Sequence, residues 1–197
     1  MANPVIIGIA GKKCSGKDTL ADMLKNKAEE QGVIMLRRGL ADALKEEAAD
    51  FLTTMTNIPK SHWLECMHGP FRPEKEQLRL LMQWWGTEFR RKMWGENYWT
   101  GKLDEWIKQQ TPLVGQTLCV VVPDIRFKNE ADYVKSQAGL VIRILRPETE
   151  DGDTHISETE LQDTYAWGFT LHNSYDIPYL EHQVEDLMEV ILPLCGR

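Results

Sequence analysis

The stretch "GIAGKKCSGKDTLADML", residues 8 to 24, follows the apolar run Val5-Ile6-Ile7 and decides how the rest of the chain is read. Gly11 and Gly16 frame four residues and Lys17 follows at once, the G-x-x-x-x-G-K spacing of a phosphate loop. The context suits the mechanism, with an apolar strand before the loop and an amphipathic helix after it. Glycines let main-chain N–H groups turn inward around phosphate oxygens. Lys17 can then reach the outer phosphates, and the positive end of the following helix adds to the field. A glycine-rich turn with no ligand is the plain alternative, but strand, loop, lysine and helix in this order favour a nucleotide.

In loops of this kind the hydroxyl that assists Mg²⁺ usually follows the lysine directly. Here Asp18 takes that place and Thr19 comes one residue later. Nucleotide kinases resembling adenylate kinase carry a similarly delayed hydroxyl, so Thr19 is expected to touch phosphate or metal. A carboxylate pressed against phosphate would repel it. Asp18 is therefore expected to cap the helix and to meet the metal only through water.

The bulk composition limits the partners. The chain has 197 residues, 42% of them hydrophobic, enough for one good core. Its 23 basic and 30 acidic side chains leave a net charge of −7, which gives no long-range attraction for a nucleic acid polymer. Cys14, Cys66, Cys119 and Cys195 are scattered, without a CxxC pair, so neither a zinc site nor a disulfide framework is expected and a reducing cytoplasm is the natural setting. No stretch suits a membrane span, Val5 to Ala10 being far too short.

Short β-branched runs at Val5 to Ala10, Leu118 to Val122, Val141 to Leu145 and Phe169 to Leu171 predict strands buried in a parallel sheet. Helical spacing recurs at Asp18 to Gln31, Ala41 to Thr53, Glu74 to Met93, Trp99 to Gln109, Glu130 to Gln137 and Tyr179 to Leu192. The alternation predicts a single α/β domain over 1–197 with ligands at the carboxyl ends of the strands. Residues 146 to 161, "RPETEDGDTHISETEL", form an acidic, turn-rich tract in which Ser157 and Glu160 have capping-box spacing. The tract reads as a surface loop, open to a second use as a lid over a ligand.

Two further places carry chemistry. In "LCVVVPDIRFKNEAD" an apolar strand ends at Pro123-Asp124, the arrangement that sets a carboxylate beside a nucleotide's Mg²⁺, and Arg126 would point toward a transferred phosphate. In "RLLMQWWGTEFRR", residues 79 to 91, a count of about 100° per residue puts Arg79, Gln83, Gly86 and Arg90 in one band, with Thr87 at its edge. Two arginines separated by an amide and a gap without a side chain can hold a phosphate and read a base edge. An ordinary charged face is the alternative. "FRPEK", residues 71 to 75, reads as a solvated basic cluster with some capacity to steer anions.

With these residues in view, the chain resembles the deoxynucleoside monophosphate kinases of bacteriophages, within the P-loop kinase superfamily. The likeness runs through "GKKCSGKDT", "LADALKEEA", "RLLMQWWGTEFRR", "PDIRFKNEAD", "RILRPETEDGDTHISETEL" and "TLHNSYDIPYLEHQV", with Ala43 where the family often has proline. It implies a three-layer P-loop kinase fold with a parallel central sheet, a helical acceptor-binding region near 40–100 and a mobile lid near 146–160. The implied activity is transfer of phosphate from ATP, with Mg²⁺, to a deoxynucleoside 5′-monophosphate. Lys17, Arg126 and Arg146 would then be catalytic. Gly11, Lys13, Ser15, Gly16, Lys17, Asp18, Thr19 and Asn173 would bind ATP. Asp42, Lys45, Arg79, Gln83, Thr87, Arg90 and Arg126 would hold the acceptor, and Thr19, Asp124 and Asp18 the metal. Phosphomevalonate kinases share the Gly-Lys-Asp loop and a Trp-rich arginine helix, but the Asn-Glu-Ala run and the His-x-Ser-Glu lid tilt the reading toward nucleotides.

Such a reaction needs positioning and charge stabilisation, not a nucleophilic side chain. His155 is therefore expected to latch or cap the lid, with Gly152 a flexible point in it, and not to act as a base. A GTPase-like switch would need an Asn-Lys-x-Asp motif, which the chain lacks. The tryptophans leave core and homodimer interface equally open.

Overall fold

Among the described residues of the computed structural model, five strands make one all-parallel sheet: β1 (Val5–Ala10), β2 (Met35–Arg37), β3 (Cys119–Ile125), β4 (Leu140–Leu145) and β5 (Phe169–His172), in the order β2-β3-β1-β4-β5. The structure describes residues 4–68, 73–110, 117–147, 161 and 165–196, the side chains of 73–76 excepted. The proposed lid beyond 147, with Gly152, His155, Ser157 and Glu160, lies outside them, as do Phe71 and Arg72 of "FRPEK" and the side chains of its other three residues.

Helices alternate with the strands: α1 (Lys17–Glu30), α2 (Leu40–Thr56), α3 (Lys60–His68), α4 (Pro73–Gln83), α5 (Lys92–Trp94), α6 (Tyr98–Gln109), α7 (Lys128–Ser136) and α8 (Ile177–Leu194). A π-helical stretch, Trp84–Arg91, joins α4 to α5. The described residues fall into two compact units. The first is Met1–Gly39 with Trp106–Arg197, and the second is Leu40–Glu105.

In the first unit β1 lies between β3 and β4, and its side chains are buried from Ile6 to Ala10. Leu20, Leu24 and Ala28 of α1 and Leu180, Val184, Leu187 and Ile191 of α8 meet the sheet in one core. Each fully buried aliphatic side chain there contributes about 1.5–3 kcal/mol. Asp176 caps α8, accepting the Tyr179 N–H at 3.1 Å, and Pro178 suits its first turn. The second unit has its own core of Ala48, Cys66, Met67 and Leu78, with Trp63 and Met82 against it.

A bulge in β3 matters for the site. Gly8 pairs with Val122, yet Ala10 pairs with Ile125, so β3 spends an extra residue at Pro123-Asp124. Proline lacks the N–H that a regular ladder would use there.

Three expectations need correction. Strand β2 was not anticipated, because three residues are too few to show alternation. Helix α3 was also missed, since only Cys66 and Met67 of its nine residues are buried and no apolar stripe announces it. Cysteine pairing was not expected either, yet Cys119 and Cys195 form a disulfide with Cα atoms 6.3 Å apart. The end of α8 returns to the start of β3 across 76 residues, a contact that sequence spacing cannot reveal. Cys14 and Cys66 are free thiols.

Candidate active site

Two glycines make the phosphate loop possible. Gly16 has φ +98°, a left-handed conformation, and a Cβ there would stand 2.6 Å from Asn173 Nδ2. A Cβ on Gly11 would stand 2.6 Å from both the Ile144 carbonyl oxygen and Ser15 Oγ. The Ser15 N–H donates to the Lys12 carbonyl at 3.2 Å, and Asn173 Nδ2 donates to the Ser15 carbonyl at 3.0 Å. Asn173 thus braces the loop from the end of β5.

Ser15 Oγ is buried and has no hydrogen-bond partner among the described residues. Leaving such a group unpaired costs about 1–3 kcal/mol, which an incoming phosphate oxygen would relieve. Lys17 folds over the loop and donates to the carbonyls of Gly11 at 2.7 Å and Lys12 at 2.6 Å. Burial, with the Arg126 guanidinium second, lowers its pKa from 10.5 to about 8. The ammonium is partly withdrawn from water beside another cation, a placement that an incoming anion would favour.

Asp124 lies close enough to pull the Lys17 pKa the other way, as does Asp18. The bulge seats the Asp124 carboxylate against Gly39, where a Cβ would come within 2.9 Å of Oδ2. Behind Arg126, the buried Glu130 accepts the main-chain N–H groups of Arg126 at 2.8 Å and Phe127 at 3.0 Å through one oxygen, Oε2. That single carboxylate fixes the backbone as it leaves β3 for α7. Sequence reasoning gave Glu130 no role, although its spacing from Phe127 at a helix start is a capping signal.

Asp18 does not cap α1, contrary to expectation. The helix begins at Lys17, Gly16 fills the cap position, and no side chain among the described residues caps it. Asp18 stands inside the first turn, largely exposed, and pairs with Arg37 at the end of β2. Arg37 also donates to Asp22 at 2.7 Å. Nothing in the sequence pointed to Arg37, because its partners depend on the unanticipated β2. Lys12, Lys13 and Thr19 are exposed beside the loop, and Arg146 is exposed just beyond β4.

The second unit contains the other predicted cluster. Lys45 lies 3.9 Å from Asp42 and 3.3 Å from His68 Nδ1. The face count along residues 79 to 91 fails past Gln83, because the π-helical stretch takes more residues per turn than an α-helix. Gly86 is no open gap. It is buried, a Cβ there would meet Leu44 Cδ2 at 3.1 Å, and its carbonyl accepts the Trp99 indole N–H at 3.0 Å.

Arg90 ion-pairs with Glu47, which also accepts from the Tyr98 hydroxyl at 3.3 Å. Its guanidinium carbon sits 4.4 Å from the Trp94 ring centroid, 4.9 Å from Phe89 and 5.5 Å from Trp85 and Tyr98. The aromatic cage was not legible as such, since the register change brings these rings together. Arg79, Gln83 and Thr87 are each half-buried on the same continuous helix.

A parallel sheet of this order, with a glycine-framed loop and its lysine between β1 and α1, defines a P-loop nucleotide-binding protein of the kinase type. Comparison with known proteins gives the family. A model described as deoxynucleotide monophosphate kinase matches residues 72–184. A protein of Acanthamoeba polyphaga mimivirus that carries a provisional name as a deoxynucleotide monophosphate kinase is 30% identical, over 91% of this chain and 94% of its own. The chain belongs to the deoxynucleotide monophosphate kinase family and is a nucleotide kinase.

Solved structures offer more distant likenesses. The Mycobacterium tuberculosis APS kinase CysC, in complex with AMPPNP and APS, aligns at 14% identity with TM-score 0.47, over 96% of this chain and 99% of its own. A gluconokinase from Sinorhizobium meliloti 1021 aligns at 13% identity with TM-score 0.44, over 98% of both chains. Among the described residues no helix is long and apolar enough to cross a membrane.

Proposed function

We propose that the enzyme moves the γ-phosphoryl group of ATP to a deoxynucleoside 5′-monophosphate, giving the diphosphate and ADP. The observation that carries this reading is the loop at Gly11 to Lys17, with its unpartnered Ser15 hydroxyl and desolvated ammonium, in a chain of this family. The first unit takes ATP, and the second takes the acceptor through Asp42, Lys45, Arg79, Gln83, Thr87 and Arg90.

Main-chain N–H groups of the loop orient the polyphosphate, and Ser15 Oγ donates to one of its oxygens. Lys17 leaves the carbonyls of Gly11 and Lys12 to neutralise charge on the group in flight, with Arg126 and Arg146 assisting. The acceptor phosphate is already an ionised nucleophile, so no general base is required. Hard oxygen donors at Thr19 and Asp124, the latter given room by Gly39, suit Mg²⁺, and Asp18 adds an outer contact through water. Held by these residues, the ion would offset the negative charge of the polyphosphate.

A coupled ADP-release assay tests the reading over dTMP, dGMP, dCMP, dAMP and phosphomevalonate. ADP formation is expected only with a deoxynucleotide present. Equal ADP release without any acceptor would overturn the proposal, and phosphomevalonate as the sole acceptor would redirect it.

The Lys17 ammonium gives a pH signature. In the free protein its pKa is near 8 and the unfolded value is 10.5, so between these the unfolded chain holds more protons. Through this group alone, the unliganded fold gains stability as pH rises from 8 to 10.5. Binding of an anion reverses the preference by stabilising the ammonium. Calorimetry at pH 8 in buffers of different ionisation enthalpy should show uptake of about half a proton per ATP, fading toward pH 6. ATP affinity should weaken above pH 8.

Glu130 is the support for Arg126. Glu130→Ala is expected to lower kcat about 10–100-fold with little change in the KM for ATP, because a misplaced guanidinium weakens transition-state contact more than binding. Glu130→Gln retains an acceptor oxygen and should recover most of the loss. Equal damage from both variants would mean that the charge, not the backbone anchor, matters.

A further inference from the structure

The structure raises a question of charge. A carboxylate in the first turn of α1, directly after the loop lysine, lies where a polyphosphate tail would bring several negative charges. The Asp18 side chain is 80% exposed, so burial does not neutralise it, and it faces Lys17 closely enough to raise that group's pKa. Its ion-pair partner is Arg37, reached from the end of β2.

We infer that Arg37 is a positioning residue for ATP binding: by holding Asp18 it restrains the carboxylate beside the loop and offsets part of its charge, so that the polyphosphate meets Lys17 with less opposing charge while Asp18 keeps an oxygen for the metal's water. This rests on the ATP reading above. The geometry separates the role from simple bracing. Arg37 is a fork, and its other arm, to Asp22 at 2.7 Å, already ties β2 to α1. The arm to Asp18 adds a second anchor that such bracing does not need. An exposed pair also contributes little to stability, so its larger effect falls on a highly charged ligand nearby.

The test is a double-mutant cycle on the Kd of ATP·Mg²⁺, measured by calorimetry at low ionic strength for wild type, Arg37→Met, Asp18→Asn and the double variant. Arg37→Met is expected to weaken ATP about five- to twentyfold. In the Asp18→Asn background the same replacement should change affinity less than about twofold, since the charge to be offset has gone. Asp22→Asn, which cuts only the bracing arm, should leave ATP affinity within about twofold of wild type.

Equal weakening by Arg37→Met in both backgrounds, or weakening by Asp22→Asn as large as that by Arg37→Met, would overturn the inference in favour of bracing. Unchanged affinity in Arg37→Met would overturn it outright. Arg37→Lys keeps the charge if the methionine variant does not fold, and should stay within about threefold of wild type. A wild-type chain that ignores ATP·Mg²⁺ would fell the functional reading itself, an outcome distinct from these.

Discussion

Lys17→Ala should lower turnover by about a thousandfold or more while leaving the protein at least as resistant to heat as wild type. The two halves have one cause. Lys17 is desolvated, and its pKa of about 8 records that the fold disfavours the charged form. In the free protein its three donors are partly met by the carbonyls of Gly11 and Lys12. Removing the ammonium therefore relieves an electrostatic cost in the resting fold and deletes a cation that acts when charge develops on the transferred group. Arginine should not rescue, because its planar guanidinium cannot take the place of a compact ammonium beneath two carbonyls. Steady-state kinetics with saturating acceptor and a thermal melt check both parts. Retention of more than about a tenth of wild-type kcat would show that Lys17 does not face the reacting phosphate.

Arg90→Ala is expected to destabilise the protein by about 2–3 kcal/mol, the largest stability effect among the proposed site residues. The Arg90 side chain is 18% exposed, and among the described residues its Nε has no hydrogen-bond partner and four aromatic rings surround its guanidinium. Truncation would leave Glu47, itself only 25% exposed, without its cation and open a void among the rings. Adding Glu47→Ala should restore part of the loss, since the stranded carboxylate is then gone. Arg79→Ala, on the same helix, should leave the melting temperature within about 2 °C while raising the acceptor KM. If neither arginine variant alters acceptor kinetics, the acceptor contacts proposed for the second unit are misplaced. If Arg90→Ala melts like wild type, the cage contributes no net stability.

How far the sequence revealed this molecule depended on how local each signal was. The phosphate loop was legible because its demands are met within seven consecutive residues: Gly16 needs a left-handed backbone and Gly11 needs the absence of a Cβ. The parallel sheet was legible because its buried strands carry continuous apolar runs, as from Leu118 to Val122 at the start of β3. Strand β2 was too short for a pattern, and its loss hid Arg37 and with it the partner of Asp18. Glu130 acts on the backbone three and four residues before it, yet its importance lies in the Arg126 it anchors, a link that the sequence pattern, which already paired Arg126 with Lys17, did not show. In the second unit, a uniform helical period aligned Arg90 with Arg79. The π-helical stretch broke that period, buried Gly86 against Leu44 and closed the rings around Arg90.

Transfer of label from ATP carrying a radioactive γ-phosphate tests the central claim most directly. With Mg²⁺ and a panel of deoxynucleoside monophosphates, wild type is predicted to place the label in the outer phosphate of a deoxynucleoside diphosphate. Label that stays in ATP, or appears only as free phosphate whichever monophosphate is supplied, would contradict the account.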